Sequence, residues 1–84
     1  MIESLAMDLK RVAMGLQRGS TKMADRFKAE ALQRESELER VTNDAYIQKI
    51  IMGSRASLEA NSERTPEDAL MYSTLLQNYA QKNY

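Results

Sequence analysis

The fold class is decided by residues 2–18, which read IESLAMDLKRVAMGLQR. Apolar side chains recur there at alternating intervals of three and four, the spacing of a coiled-coil seam on one helix face: Ile2, Leu5, Leu9, Val12 and Leu16. Met7 and Met14 widen this face, and the residues between are types that face solvent: Glu3, Asp8, Lys10, Arg11 and Gln17. The stretch predicts an amphipathic helix over about 2–18. Gly19 is a residue type that commonly follows a helix C-terminus, and a helix that continues through Gly19 is the alternative interpretation.

A second helical segment follows from about residue 21 to residue 60. Its first half is rich in helix-forming residues and carries a broad apolar face: Met23, Phe27, Ala31, Leu38, Val41 and Ala45. Thr42, Asn43 and Asp44 are residue types that favour helix ends. They can split the segment into two helices near 42–44, and a single continuous helix is the alternative. Beyond them the apolar residues cover more than one stripe, which predicts contact with two neighbours or with a partner: Tyr46, Ile47, Ile50, Ile51, Met52 and Leu58.

The last helix has the clearest start in the chain, at Thr65-Pro66-Glu67-Asp68. Thr65 is a favourable N-cap residue, Pro66 fits the first helical position, and the two acids oppose the helix dipole. A helix over about 66–82 is predicted, with an apolar stripe formed by Ala69, Tyr72, Leu76 and Tyr79.

These segments predict an all-α fold, a helical hairpin or three-helix bundle in one domain over residues 1–84. The expected core consists of Leu5, Leu9, Val12, Leu16, Phe27, Leu38, Val41, Ile47, Ile50, Ile51, Leu58, Leu70, Leu76 and Tyr79. A core of this size often needs additional stabilisation, and Cys is 0, so no disulfide can supply it. We therefore expect the bundle to be oligomeric or docked on a partner.

Catalysis and metal binding are not expected. His is 0 and Cys is 0, which removes the commonest general base and the usual metal ligands. Carboxylates are scattered beside basic residues, and Glu35 and Glu39 are expected on an ordinary exposed helix face. We predict no catalytic residue, no cofactor, no metal and no small-molecule substrate, so the chain is not expected to be an enzyme.

The charges form two blocks, although 12 basic and 12 acidic residues balance overall. Residues 10–28 contain six basic residues and one acid, and residues 30–44 contain five acids and two arginines. Three interpretations stay open: solvated faces, antiparallel self-association that pairs the blocks, and binding of a phosphate backbone. On a helix continuous through Gly19, the anion-binding candidates would share one face: Arg11, Arg18, Lys22 and Arg26.

The expected compartment is the cytoplasm. Charged residues interrupt the first apolar stretch, so it fits neither a signal peptide nor a membrane span, and no contact with a membrane is expected.

Four residues near the C-terminus have a spacing similar to that of a known family. Pro66, Tyr72, Leu76 and Tyr79 resemble the Pro, Tyr, Leu and Tyr that open the second helix of type III secretion needle subunits. Those subunits are small helical hairpins that polymerise. The resemblance covers residues 66–79 and implies an alternative function, a small helical secretion-apparatus subunit or its chaperone.

The function we expect first is a small non-catalytic interaction module, acting as an adaptor, inhibitor or assembly subunit. It would present amphipathic helical faces to another protein, to a second copy of itself, or to both. The partner-binding candidates are Tyr46, Ile47, Ile50, Ile51, Tyr72, Tyr79 and Tyr84. An accessory protein that binds nucleic acid through residues 10–28 is the runner-up, although the zero net charge argues against nucleic acid.

Overall fold

The structure is a computed structural model that describes residues 2–82. The chain forms four α-helices: α1 (Ile2–Gln17), α2 (Thr21–Val41), α3 (Ala45–Ala60) and α4 (Thr65–Lys82). Residues 2–82 contain no β-strand, which confirms the all-α prediction. Four helices are present within residues 2–82, where a helical hairpin or three-helix bundle was expected.

The chain reverses direction between α1 and α2 at Gly19, which has a φ of 75°. The Ser20 N–H donates to the Gly15 carbonyl at 2.8 Å, and the Gly19 N–H donates to the Leu16 carbonyl at 3.2 Å. These bonds satisfy carbonyls at the end of α1, as a glycine-terminated helix requires. A continuous helix through Gly19 is therefore ruled out, and α2 runs antiparallel beside α1.

The connection between α2 and α3 consists of residues 42–44. The Thr42 N–H donates to the Leu38 carbonyl at 3.0 Å and ends α2. The Asp44 side chain accepts the Tyr46 N–H at 2.9 Å and caps the start of α3. These capping contacts separate α2 from α3. Of the two alternatives that the sequence allows, one continuous helix or a break near 42–44, the structure has the break.

Thr65 begins α4, but its side chain does not cap that helix as predicted. The buried hydroxyl donates to the Ser57 carbonyl at 3.0 Å and accepts the Ser62 N–H at 2.9 Å. The carbonyl of Arg64 accepts the Asp68 N–H at 2.9 Å. Thr65 therefore ties the α3–α4 loop to the end of α3.

The four helices alternate in direction around one core. Helix α1 packs most extensively, against both α2 and α4, while α3 packs against α4 and to a smaller extent against α2. The buried core cluster consists of Leu5, Ala6, Leu9, Val12, Ala31, Leu38, Ile47, Ile50, Ile51, Leu58 and Leu76. Small residues bring α1 and α4 together, and the Ser73 hydroxyl of α4 donates to the Ala6 carbonyl of α1 at 2.7 Å.

Two residues assigned to the core from the sequence are exposed. Val41 is 70% exposed because it is the last residue of α2, where the helix runs past the core. Leu70 is 42% exposed because it lies on the side of α4 away from the buried stripe of Ala69, Ser73 and Leu76. Leu16, Phe27 and Tyr79 are half-buried and pack on the core cluster.

Candidate functional site

Two adjoining apolar hollows lie along α4, one shared with α3 and the other shared with Gln17 at the end of α1. One is lined by Tyr46, Lys49, Ile50, Tyr72 and Leu75, and the other by Gln17, Glu67, Leu70, Met71, Thr74 and Leu75. Leu75 belongs to both, so the hollows form one continuous surface. We call it the α3–α4 surface.

Exposure of large apolar side chains distinguishes this surface. Tyr46 is 47% exposed, Leu70 42% and Met71 47%, and the half-buried Tyr72 and Leu75 lie between them. Single exposed apolar residues are common on proteins, whereas contiguous ones mark sites of interaction. Lys49 lies at the Tyr46 end of the surface, and Glu67 lies at the Leu70 end.

Local contacts fix the aromatic end of the surface. The Tyr46 and Tyr79 rings stack, with centroids 5.8 Å apart and planes 22° apart. The Tyr79 hydroxyl donates to the Asp44 carboxylate, the same side chain that caps α3. This hydrogen bond lowers the pKa of Asp44 and raises the pKa of Tyr79. The contacts anchor the end of α4 to the start of α3 and orient the Tyr46 ring.

Gly53 makes room for the second tyrosine of the surface. A Cβ atom at Gly53 would collide with the Tyr72 hydroxyl. The absence of a side chain at this position of α3 therefore leaves room for the Tyr72 ring against α3.

The sequence-derived partner-binding residues separate into two groups. Ile47, Ile50 and Ile51 are only 1%, 4% and 0% exposed, because they pack inside the chain's own core. This packing accounts for the broad apolar face of α3 without a partner. Tyr46 is exposed, Tyr72 and Tyr79 are half-buried beside it, and Tyr84 lies outside the described residues.

Seven members of the surface were not predicted from the sequence to bind a partner: Gln17, Lys49, Glu67, Leu70, Met71, Thr74 and Leu75. Leu70 was assigned to the core because it widens the apolar stripe predicted for the last helix. The pattern that reveals its position is the stripe of small residues at Ala69, Ser73 and Ala80, which marks the buried side of α4.

The four anion-binding candidates are all exposed: Arg11, Arg18, Lys22 and Arg26. They do not share one continuous helix face, because the chain reverses at Gly19. Arg11 of α1 and Arg26 of α2 instead meet at Phe27, with guanidinium carbons 5.1 Å and 5.5 Å from the ring centroid. Both distances fit cation–π contacts.

Two acids expected in solvent are buried. Asp8 is 3% exposed and forms an ion pair with Arg34 of α2 at 2.6 Å. Glu35 is 0% exposed because α3 covers this side of α2. The Ser54 hydroxyl of α3 donates to Glu35 Oε2, while Glu35 Oε1 has no hydrogen-bond partner among the described residues.

Burial raises the pKa of Glu35 from 4.5 to about 7. Desolvation is the main cause, and the Ser54 hydrogen bond and the nearby Arg55 oppose it, while Glu59 and Glu39 add to it. Because the carboxyl group is closed to solvent, a dissolved substrate cannot touch it in this conformation. Glu35 therefore belongs to the contact between α2 and α3.

The described residues show neither a metal site nor a membrane-spanning helix. Within residues 2–82, no three acidic side chains cluster closely enough to hold a metal ion. No helix in that range is long and apolar enough to span a membrane. Comparisons with protein-family models, curated proteins and solved structures gave no match.

Proposed function

We propose that this chain is a small interaction module that binds another protein surface through the α3–α4 surface. The observation that carries the proposal is the contiguity of Tyr46, Tyr72, Leu75, Leu70 and Met71, all of them at least partly exposed. Covering this surface removes apolar area from water, the main favourable contribution to most protein association.

The composition of the surface suits a helical partner. Tyr side chains are enriched at the centres of interfaces, and Met side chains adapt to the shape of what they contact. An amphipathic helix presents apolar residues every three or four positions, and such a row can pack on the apolar side chains of adjoining hollows. The Tyr46–Tyr79 stack and the buried core beneath it provide a rigid base.

A second candidate is an accessory role on nucleic acid, supported by the meeting of Arg11 and Arg26 at Phe27. Such binding would weaken steeply with salt, because phosphate contacts release counterions. The balance of 12 basic and 12 acidic residues offers little attraction at long range. The apolar surface is therefore the better-supported binding site.

Photo-crosslinking at two positions tests the proposal. A photoreactive amino acid replaces Leu70 on the α3–α4 surface in one variant. In the other it replaces the exposed Gln33 on α2, a helix that does not contact α4 among the described residues. After irradiation in the native host, we expect discrete protein adducts from position 70 and none from position 33.

A matched pair of charge substitutions makes the experiment specific. Met71→Glu places a carboxylate on the surface, and Met52→Glu makes the same change at a 69% exposed position of α3 outside both hollows. Adducts from position 70 should disappear with Met71→Glu and persist with Met52→Glu. Equal adducts from positions 70 and 33, or none from position 70, would refute the proposal.

A further inference from the structure

The charged residues at the two ends of the α3–α4 surface have opposite signs. Lys49 lines the hollow that contains Tyr46 and Tyr72, and Glu67 lines the hollow that contains Leu70 and Met71. Both charged side chains are exposed, and Leu75 lies at the junction of the two hollows. Among the residues that line the two hollows, Lys49 is the one cation and Glu67 is the one anion.

Two copies of a surface with this order of charges can pair a cation with an anion at both ends. In a two-fold dimer, every contact occurs twice: if one residue of the first copy contacts a second residue of the other copy, the second residue of the first copy contacts the first residue of the other. A two-fold axis that passes midway between Lys49 and Glu67 exchanges the ends of the surface, so Lys49 of each copy lies opposite Glu67 of the other. Two ion pairs of the same kind then form, one at each end of the interface.

The apolar residues obey the same symmetry. The rotation sets the aromatic end, with Tyr46 and Tyr72, against the flexible end, with Leu70 and Met71. Sulfur and aliphatic groups pack favourably on aromatic rings, and Met adjusts to the ring that it meets. Aromatic rings thus face flexible aliphatic and thioether side chains at both ends.

We propose that the protein bound by the α3–α4 surface is a second copy of this chain, in a two-fold dimer with α4 against α4. The inference rests on the proposed function, since it names the occupant of the same surface. Two copies approach without net repulsion, because each carries 12 basic and 12 acidic residues. The ion pairs set the register of the helices, and the apolar residues supply the affinity.

Charge reversal at the two ends tests the dimer by sedimentation equilibrium. Lys49→Glu and Glu67→Lys each create two like-charge contacts in the two-fold dimer, and each should weaken self-association about tenfold. The double variant Lys49→Glu/Glu67→Lys restores opposite charges and should associate as the wild type does. Both positions are exposed, so the helical circular-dichroism spectrum should be unchanged in all variants.

Mixing the two single variants gives the sharpest result. One variant carries two anions and the other two cations, so their heterodimer has opposite charges at both ends. We expect the mixture to associate more tightly than either variant alone, and Met71→Glu to abolish association where Met52→Glu does not.

A wild type that stays monomeric at high concentration would overturn the dimer. If crosslinking from position 70 then captures a different protein, the proposed function stands with a foreign partner. If it captures none, both proposals fail. A dimer that forms equally well with either single reversal would also exclude this arrangement.

Discussion

Glu35 illustrates how a single residue can depart from its sequence pattern. Neighbouring Ser36, Glu37 and Glu39 are exposed, so Glu35 looked like one more solvated acid. Its burial depends on α3 returning across α2, and on Ser54 standing opposite to donate a hydrogen bond. Sequence spacing along α2 alone contains no information about that contact, because the contact joins residues 19 positions apart.

The raised pKa of Glu35 predicts a specific pH dependence of stability. The pKa is about 7 in the folded chain against a reference value of 4.5, so the folded state binds the proton more tightly. The contribution is fully present below the reference pKa and is lost as the pH rises through about 7. Between about pH 5 and pH 8, this term should lower the free energy of unfolding by roughly 3 kcal/mol.

Urea denaturation across that pH range measures the effect. Glu35→Gln keeps an oxygen that can accept the Ser54 hydrogen bond but cannot ionise, so the variant should lose most of the slope. Glu37→Gln, at an exposed position two residues away, is the control and should retain it. A variant Glu35→Gln with the wild-type slope would show that another group titrates in this range.

At the scale of the helices, close approach depends on small residues. Gly15 of α1 is buried against α2, where a Cβ atom would lie 2.9 Å from the Ala24 nitrogen and 3.2 Å from the Ala24 Cα. These are backbone atoms, which cannot turn aside. The contact sets how near α1 and α2 can come.

Gly15→Ala should therefore destabilise the fold although Ala is the better helix former. The substitution gains about 1 kcal/mol of helix propensity, and overpacking against α2 should more than offset this gain. We expect a net loss of about 1 to 2 kcal/mol, measured by chemical denaturation. Gly53→Ala is the comparison, since its nearest atoms belong to the end of the Tyr72 side chain, which can rotate. A more stable Gly15→Ala protein would contradict the close approach.

The helices were predictable where local chemistry determines them. The three-four spacing of Leu5, Leu9 and Val12 produces α1, and cap-type residues mark the break before α3. The number of helices could not be predicted, because Gly19 and residues 42–44 are compatible with either a turn or a continued helix. Only packing against a neighbour decides between the two.

At the scale of the whole molecule, the buried and exposed sides of α3 and α4 were the hardest to predict. Ile47, Ile50 and Ile51 were assigned from the sequence both to the core and to a partner-binding surface, and the bundle encloses them in its core. Leu70 was expected inside and lies outside. Both outcomes follow from the packing of the described helices, in which α4 packs its small residues on α1 and leaves Leu70 and Met71 facing outward.

The central claim is that a second copy of this chain covers the α3–α4 surface, and two methionines test it most directly. Met71 lies on this surface and is 47% exposed in the single chain, whereas Met52 lies outside it and is 69% exposed. Methyl NMR with a soluble gadolinium chelate reports the solvent accessibility of each methyl group. As the chain is concentrated, the relaxation enhancement at Met71 should fall while that at Met52 stays constant. Equal enhancement at both methyl groups over the whole concentration range would contradict the claim.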